Sequence, residues 1–69
     1  MVTLEQIKIK LSEAIKQSSL TQVQIAKALN VSQQTISHYL IGDKLPALDN
    51  FANLCIILDV DPSDILCIS

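Results

Sequence analysis

Apolar residues along this chain recur at helical intervals in five blocks, each opened or closed by a residue suited to a helix end. Leu4, Ile7, Leu11, Ala14 and Ile15 fall three or four apart, with Glu5, Lys8 and Lys16 on the opposite side, until Ser18-Ser19 breaks the pattern. Thr3-Leu4-Glu5-Gln6 has the form of a capping box, which predicts a first helix over about 3–17. Thr21-Gln22-Val23-Gln24 repeats the box and opens a second helix over 21–29, with Ile25, Ala26 and Leu29 inward. Asn30 is its expected stop, because Asn tolerates the left-handed backbone of a helix end. Ser32 then caps a third helix over 32–41, with Ile36, Tyr39 and Leu40 as its apolar side and Gly42 as its stop. A fourth, over 47–58, is predicted to bury Leu48, Phe51, Leu54, Cys55 and Leu58. Asp61-Pro62-Ser63-Asp64 supplies a cap, a first-turn Pro and an acid for a last helix over 62–67, through Ile65 and Leu66. No stretch reads as a strand, and Val31 and Val60 are expected to plug the core from inter-helix turns. The expectation is a single all-α domain of five helices spanning 1–69.

A chain of 69 residues lies near the lower size for one self-sufficient core, so each apolar position matters. Its 49% hydrophobic content, with one Gly and two Pro, argues for a compact domain rather than disorder. The apolar runs, such as 54–58, fall far short of the roughly 20 residues that span a bilayer. The N-terminus has no basic-then-apolar signal pattern, so a cytoplasmic location is expected. Cys55 and Cys67 then read as small buried hydrophobes; a disulfide between them is open but disfavoured by that compartment. One histidine and two cysteines make no zinc-ligand spacing, and no cofactor is expected. The net charge of -2 hides an uneven distribution. In residues 1–44, Lys8, Lys10, Lys16, Lys27 and Lys44 outnumber Glu5, Glu13 and Asp43 to leave +2, whereas Asp49, Asp59, Asp61 and Asp64 give the remainder -4. An acidic total therefore weakens a nucleic-acid reading without excluding it.

The second helix, a short turn and the third helix have the layout of a helix-turn-helix, in which the second member enters the major groove. A polar residue opens it at Gln22, small Ala26 lies where the helices must cross, Asn30 makes the turn, and Ile36 and Tyr39 plug the interior. The run TQVQIAKALNVSQQTISHYLIGDKLP, followed by ALDNFANLCIILDVDPSDIL, resembles the phage-repressor and Cro type of helix-turn-helix, the Xre family, from about residue 19 to residue 66. The resemblance implies a five-helix, lambda-repressor-like domain that binds double-stranded DNA. It places Ser32, Gln33, Gln34 and His38 where members face base edges, and Gln22 and Lys44 where members contact backbone phosphates. Thr35 and Ser37 could add hydroxyl contacts. The chain departs from the family pattern at Asn30, where Gly is usual, and at Leu40 and Ile41, where acidic and polar or basic residues are common. It departs again at Ala47, where a Ser or Thr cap is usual and its loss costs about 1 kcal/mol.

Local chemistry supports the same residues. A Gln amide donates to and accepts from adenine N6 and N7 together, a pairing worth roughly 1–3 kcal/mol of discrimination, which makes Gln33 or Gln34 the first choice for base readout. The alternative for these side chains and His38 is a plain solvated helix face. The chain has no Arg, so the guanidinium fork that reads guanine is missing, sites rich in A and T are favoured, and binding should be modest and steeply salt-dependent. Ile56 and Ile57, on or beyond the edge of the inward stripe, together with Cys67 and Ile68, form a candidate dimer interface. A symmetric homodimer there would suit a pseudo-palindromic operator; the alternative is that these residues cover a monomer's core. The leading function is a sequence-specific transcriptional regulator, most simply a repressor. The length leaves no room for a ligand-binding or self-cleaving domain, so switching is expected from concentration, competition or a partner. A second reading is a protein-interaction module, antitoxin-like or adaptor, motivated by the acidic C-terminal part and the surplus apolar surface. An enzyme is not expected, because the lone histidine and seven scattered carboxylates form no nucleophile–base pair.

Overall fold

The computed structural model describes residues Met1–Ile68. Five helices follow one another: α1 (Leu4–Gln17), α2 (Gln22–Leu29), α3 (Gln33–Ile41), α4 (Leu48–Leu58) and α5 (Pro62–Leu66). The all-α, five-helix architecture is the one expected, with no strand among the described residues. Both capping boxes form: the Thr3 and Thr21 hydroxyls accept from the backbone N–H groups of Gln6 and Gln24, whose amide oxygens accept from the two Thr N–H groups in return. Two orphan donors are thus satisfied at each start. Asp61 caps α5 by accepting from the Ser63 N–H and hydroxyl, and these bonds hold its carboxyl below the ordinary carboxylate range. Ala47 leaves α4 without a side-chain cap.

The core takes one fully buried side chain from each of the first four helices, Leu11, Ile25, Ile36 and Leu54, with Ile65 of α5 almost as deep. Val31 and Val60 are half-buried against this cluster from the turns between helices, as expected. Burial along the inner stripe of α1 rises from exposed Leu4 through half-buried Ile7 to buried Leu11 and Ile15. Periodicity put Leu4 inside, but its first turn overhangs the bundle. Leu48 differs from expectation for the same reason: it is the first residue of α4 and is 88% exposed, although Phe51, Leu54, Cys55 and Leu58 on the same stripe pack inward. Tyr39 is buried in the core, as expected. Burial pushes its ionisation upward, and the nearby Asn50 side chain of α4 acts in the opposite direction. Both cysteines are free, and burial, with the nearby Asp61 charge adding to it, pushes the Cys55 thiol up. No helix of the described residues is long and apolar enough to cross a membrane.

The missing cap on α4 can be tested directly. Ala47→Ser should stabilise the domain by about 1 kcal/mol, which for a domain of this size raises the thermal midpoint by roughly 4–8 °C. The measurement is thermal unfolding followed by circular dichroism.

Candidate nucleic-acid interface

The α2–turn–α3 unit is set by its junction. Asn30 adopts the left-handed conformation (φ 61°, ψ 46°). Its N–H donates to the Lys27 carbonyl at 3.2 Å and the Val31 N–H to the Ala26 carbonyl at 3.0 Å. This pair of bonds is a Schellman motif, which closes the last turn of α2 and reverses the chain. Ser32 then starts α3, its hydroxyl accepting from the Thr35 N–H at 3.2 Å. Ala26, only 3% exposed, is the small residue on the face of α2 that packs on α3. At the far end Gly42 takes a left-handed φ of 94° and its N–H donates to the His38 carbonyl. The nearest atoms to a Cβ built at Gly42 would be those of Lys8 at ordinary contact distance, so the dihedral rather than space is what requires Gly. The Ser12 hydroxyl donates to the Leu40 carbonyl at 2.8 Å, so α1 supplies a partner for one of the carbonyls at the end of α3.

The structure sorts the sequence-predicted residues by whether their hydrogen-bonding capacity is already used. Ser32, Gln33 and Gln34 are all exposed at the start of α3. The Ser32 hydroxyl caps the helix and also bonds the Thr35 hydroxyl at 2.9 Å, so both hydroxyls have protein partners. Ser37 donates to the Gln22 amide oxygen at 2.8 Å, linking α3 to the first residue of α2. That bond fixes the orientation of the Gln22 amide and leaves its NH2 group to donate elsewhere. His38 lies one turn beyond Gln34, with Nδ1 at 2.9 and 3.0 Å from the two Asp43 carboxylate oxygens. Gln33 and Gln34 have no partner among the described residues. Lys44 is exposed in the loop after α3 and forms no ion pair among the described residues, whereas Lys8 and Lys10 lie within 4 Å of Glu5 and Glu13 along α1.

On the apolar side, Ile56 is 77% and Ile68 is 67% exposed, Cys67 is half-buried, and Ile57 is half-buried against the core. Sequence reasoning missed that Leu48 and Ala52 precede Ile56 at four-residue steps and are exposed with it, making a stripe along α4. The signal was present in the spacing but masked by assigning Leu48 to the core. Asp43 was also missed as the partner of His38.

A family model described as helix-turn-helix matches residues 11–65. Among solved structures, the chain is similar to the solution structure of the SOS-response transcriptional repressor LexA from Eubacterium rectale. The two are 27% identical with a TM-score of 0.78, over 91% of this chain and 67% of that one. No curated protein sequence matches the chain.

The Ser37–Gln22 bond bridges the two helices of the motif, so it should register as coupling. A double-mutant cycle with Ser37→Ala and Gln22→Ala, read by urea unfolding, should give an interaction energy of about 0.5–1.5 kcal/mol. Strict additivity would mean that the bond contributes nothing to the α2–α3 arrangement.

Proposed function

The chain belongs to the Xre-type helix-turn-helix family of DNA-binding transcriptional regulators, and from that premise we propose that it is a repressor that reads double-stranded DNA in the major groove with α3. The observation that carries the assignment of readers is the pair of uncommitted amides, Gln33 and Gln34, at the exposed N-terminal end of that helix. Each can form the two-point contact with adenine that discriminates by roughly 1–3 kcal/mol. Gln22, with its amide oriented by Ser37, and Lys44 serve the phosphates, with the Thr35 and Ser37 hydroxyls as lesser phosphate contacts, while Ser32 and His38 stand beside the amides as further base contacts. Such a regulator works in the cytoplasm and blocks transcription by occupying its operator.

Without an arginine, a single half-site is weak, and a second copy multiplies affinity. We place the dimer contact on the apolar surface of α4 and the chain's end: Ile56 with Leu48 and Ala52 along α4, then Cys67 and Ile68, with Ile57 supporting from beneath. A two-fold axis there sets two reading helices about 34 Å apart on a pseudo-palindromic site. The same stripe is what favours the second reading, an antitoxin-like or adaptor protein that docks another chain.

Selection of bound duplexes from a random pool tests the readers. The parent should enrich a defined site rich in A and T, and Gln33→Ala and Gln34→Ala should each lose roughly 5- to 150-fold of discrimination at one position. Unchanged selection by both variants would remove the base-reading assignment. For the dimer, sedimentation of the parent at micromolar concentration should show self-association that Ile56→Asp abolishes; a monomer both on and off DNA rules the dimer out and returns the stripe to a different partner.

A further inference from the structure

His38 and Asp43 form a contact whose consequence reaches beyond the list of readers. The two residues are five apart across the end of α3, and the left-handed turn at Gly42 folds the loop back so that the Asp43 carboxylate meets Nδ1 of the ring through both oxygens, at 2.9 and 3.0 Å. A carboxylate offers only acceptors, so Nδ1 must carry the proton. In a neutral imidazole the other nitrogen, Nε2, then presents a lone pair, and it has no partner among the described residues. A ring without such a carboxylate favours the opposite tautomer, with Nε2 as donor. The His38 side chain is 28% exposed and that of Asp43 is 54% exposed. His38 follows Gln34 by one turn, on the side of α3 that carries the amides.

We propose that Asp43 is a specificity-determining positioning residue: by accepting a hydrogen bond from Nδ1–H it keeps the proton on Nδ1 and leaves Nε2 of His38 as a hydrogen-bond acceptor at the groove. This rests on the reading of α3 as the helix in the major groove. An acceptor at that place pairs with an exocyclic amine, N6 of adenine or N4 of cytosine, and is repelled by the bare acceptors of guanine and thymine. Asp43 itself touches no base. Its role is to decide which of two mirror-image questions the ring asks of the base pair, and the Gly42 turn fixes its distance.

Two measurements test this. Nitrogen-resolved NMR of the ring in the free protein, at about pH 8.5 and above the ordinary titration range of imidazole, should show the Nδ1–H tautomer predominating in the parent. In Asp43→Asn the amide can either donate or accept, so the tautomers should mix. Duplex selection at the same pH should show roughly 3- to 10-fold enrichment of A or C at one position, the discrimination one hydrogen bond supports. That preference should vanish in His38→Gln, which donates and accepts alike, and relax in Asp43→Asn, with the positions read by Gln33 and Gln34 unchanged. An identical tautomer ratio in parent and Asp43→Asn overturns the proposal, as does a preference lost in His38→Gln but retained in Asp43→Asn. Failure of the parent to select any sequence would overturn the major-groove reading itself. A site that depends on Gln33 and Gln34 but not on His38 or Asp43 would overturn the tautomer proposal alone.

Discussion

The orientation of α3 depends on one tight junction with α2, and the core packed around it holds that junction in place. Two helices can leave a three-residue turn at a fixed angle only if the first is closed sharply and their faces approach without a bulky side chain between them. Asn30 in the left-handed region and the Val31-to-Ala26 bond provide the closure, and buried Ala26 permits the approach. Val31, half-buried against the core, converts the turn from a hinge into an anchored corner. The chain uses the same device at the end of α4, where Asp59 is left-handed and the Val60 N–H bonds the Cys55 carbonyl. Two Asx–Val pairs thus fix two corners, in place of the glycine usual at such ends.

A domain this small has few polar groups to divide between its own fold and a partner, and much of the hydrogen-bonding capacity along α3 goes to the fold. Ser32 caps α3, Thr35 bonds Ser32, Ser37 holds Gln22, and His38 engages Asp43. Each of these bonds orders the side chain before any partner arrives, which lowers the entropy lost on binding. They also restrict what the groups can still offer: a hydroxyl already capping a helix is a weaker reader than a free amide. Gln33 and Gln34 keep their amides uncommitted among the described residues, while the side chains around them are already bonded within the fold.

What could be read from the sequence was whatever is encoded within one turn of helix. The capping boxes at Thr3 and Thr21 and the stops at Asn30 and Gly42 were legible because they use residue types with local causes. Leu4 and Leu48 were misplaced because periodicity reports which way a side chain points and not whether the bundle reaches that far along the axis. The bonds between Ser37 and Gln22, 15 residues apart, and between Ser12 and Leu40, 28 apart, depend on how helices pack, and no local pattern announces them. The His38–Asp43 contact lies between these cases: five residues apart is out of register for a helix, and only the Gly42 turn makes it short.

The acidic total looks opposed to DNA until its charges are placed. Asp49 and Asp64 lie in the first turns of α4 and α5, and Asp61 caps α5, positions where the partial positive charge of a helix start favours an anion. Most of the excess acid thus serves helix starts, in a molecule 33 Å long whose surface charges are screened over about 8 Å in physiological salt. A phosphate near α3 therefore responds to its immediate surroundings rather than to the sum. Just past the end of α3 stands Asp43, its carboxylate bonded to His38 and followed in sequence by exposed Lys44. An acid at that place lowers the attraction for any duplex alike, and the Lys44 charge beside it in sequence offsets part of that effect locally.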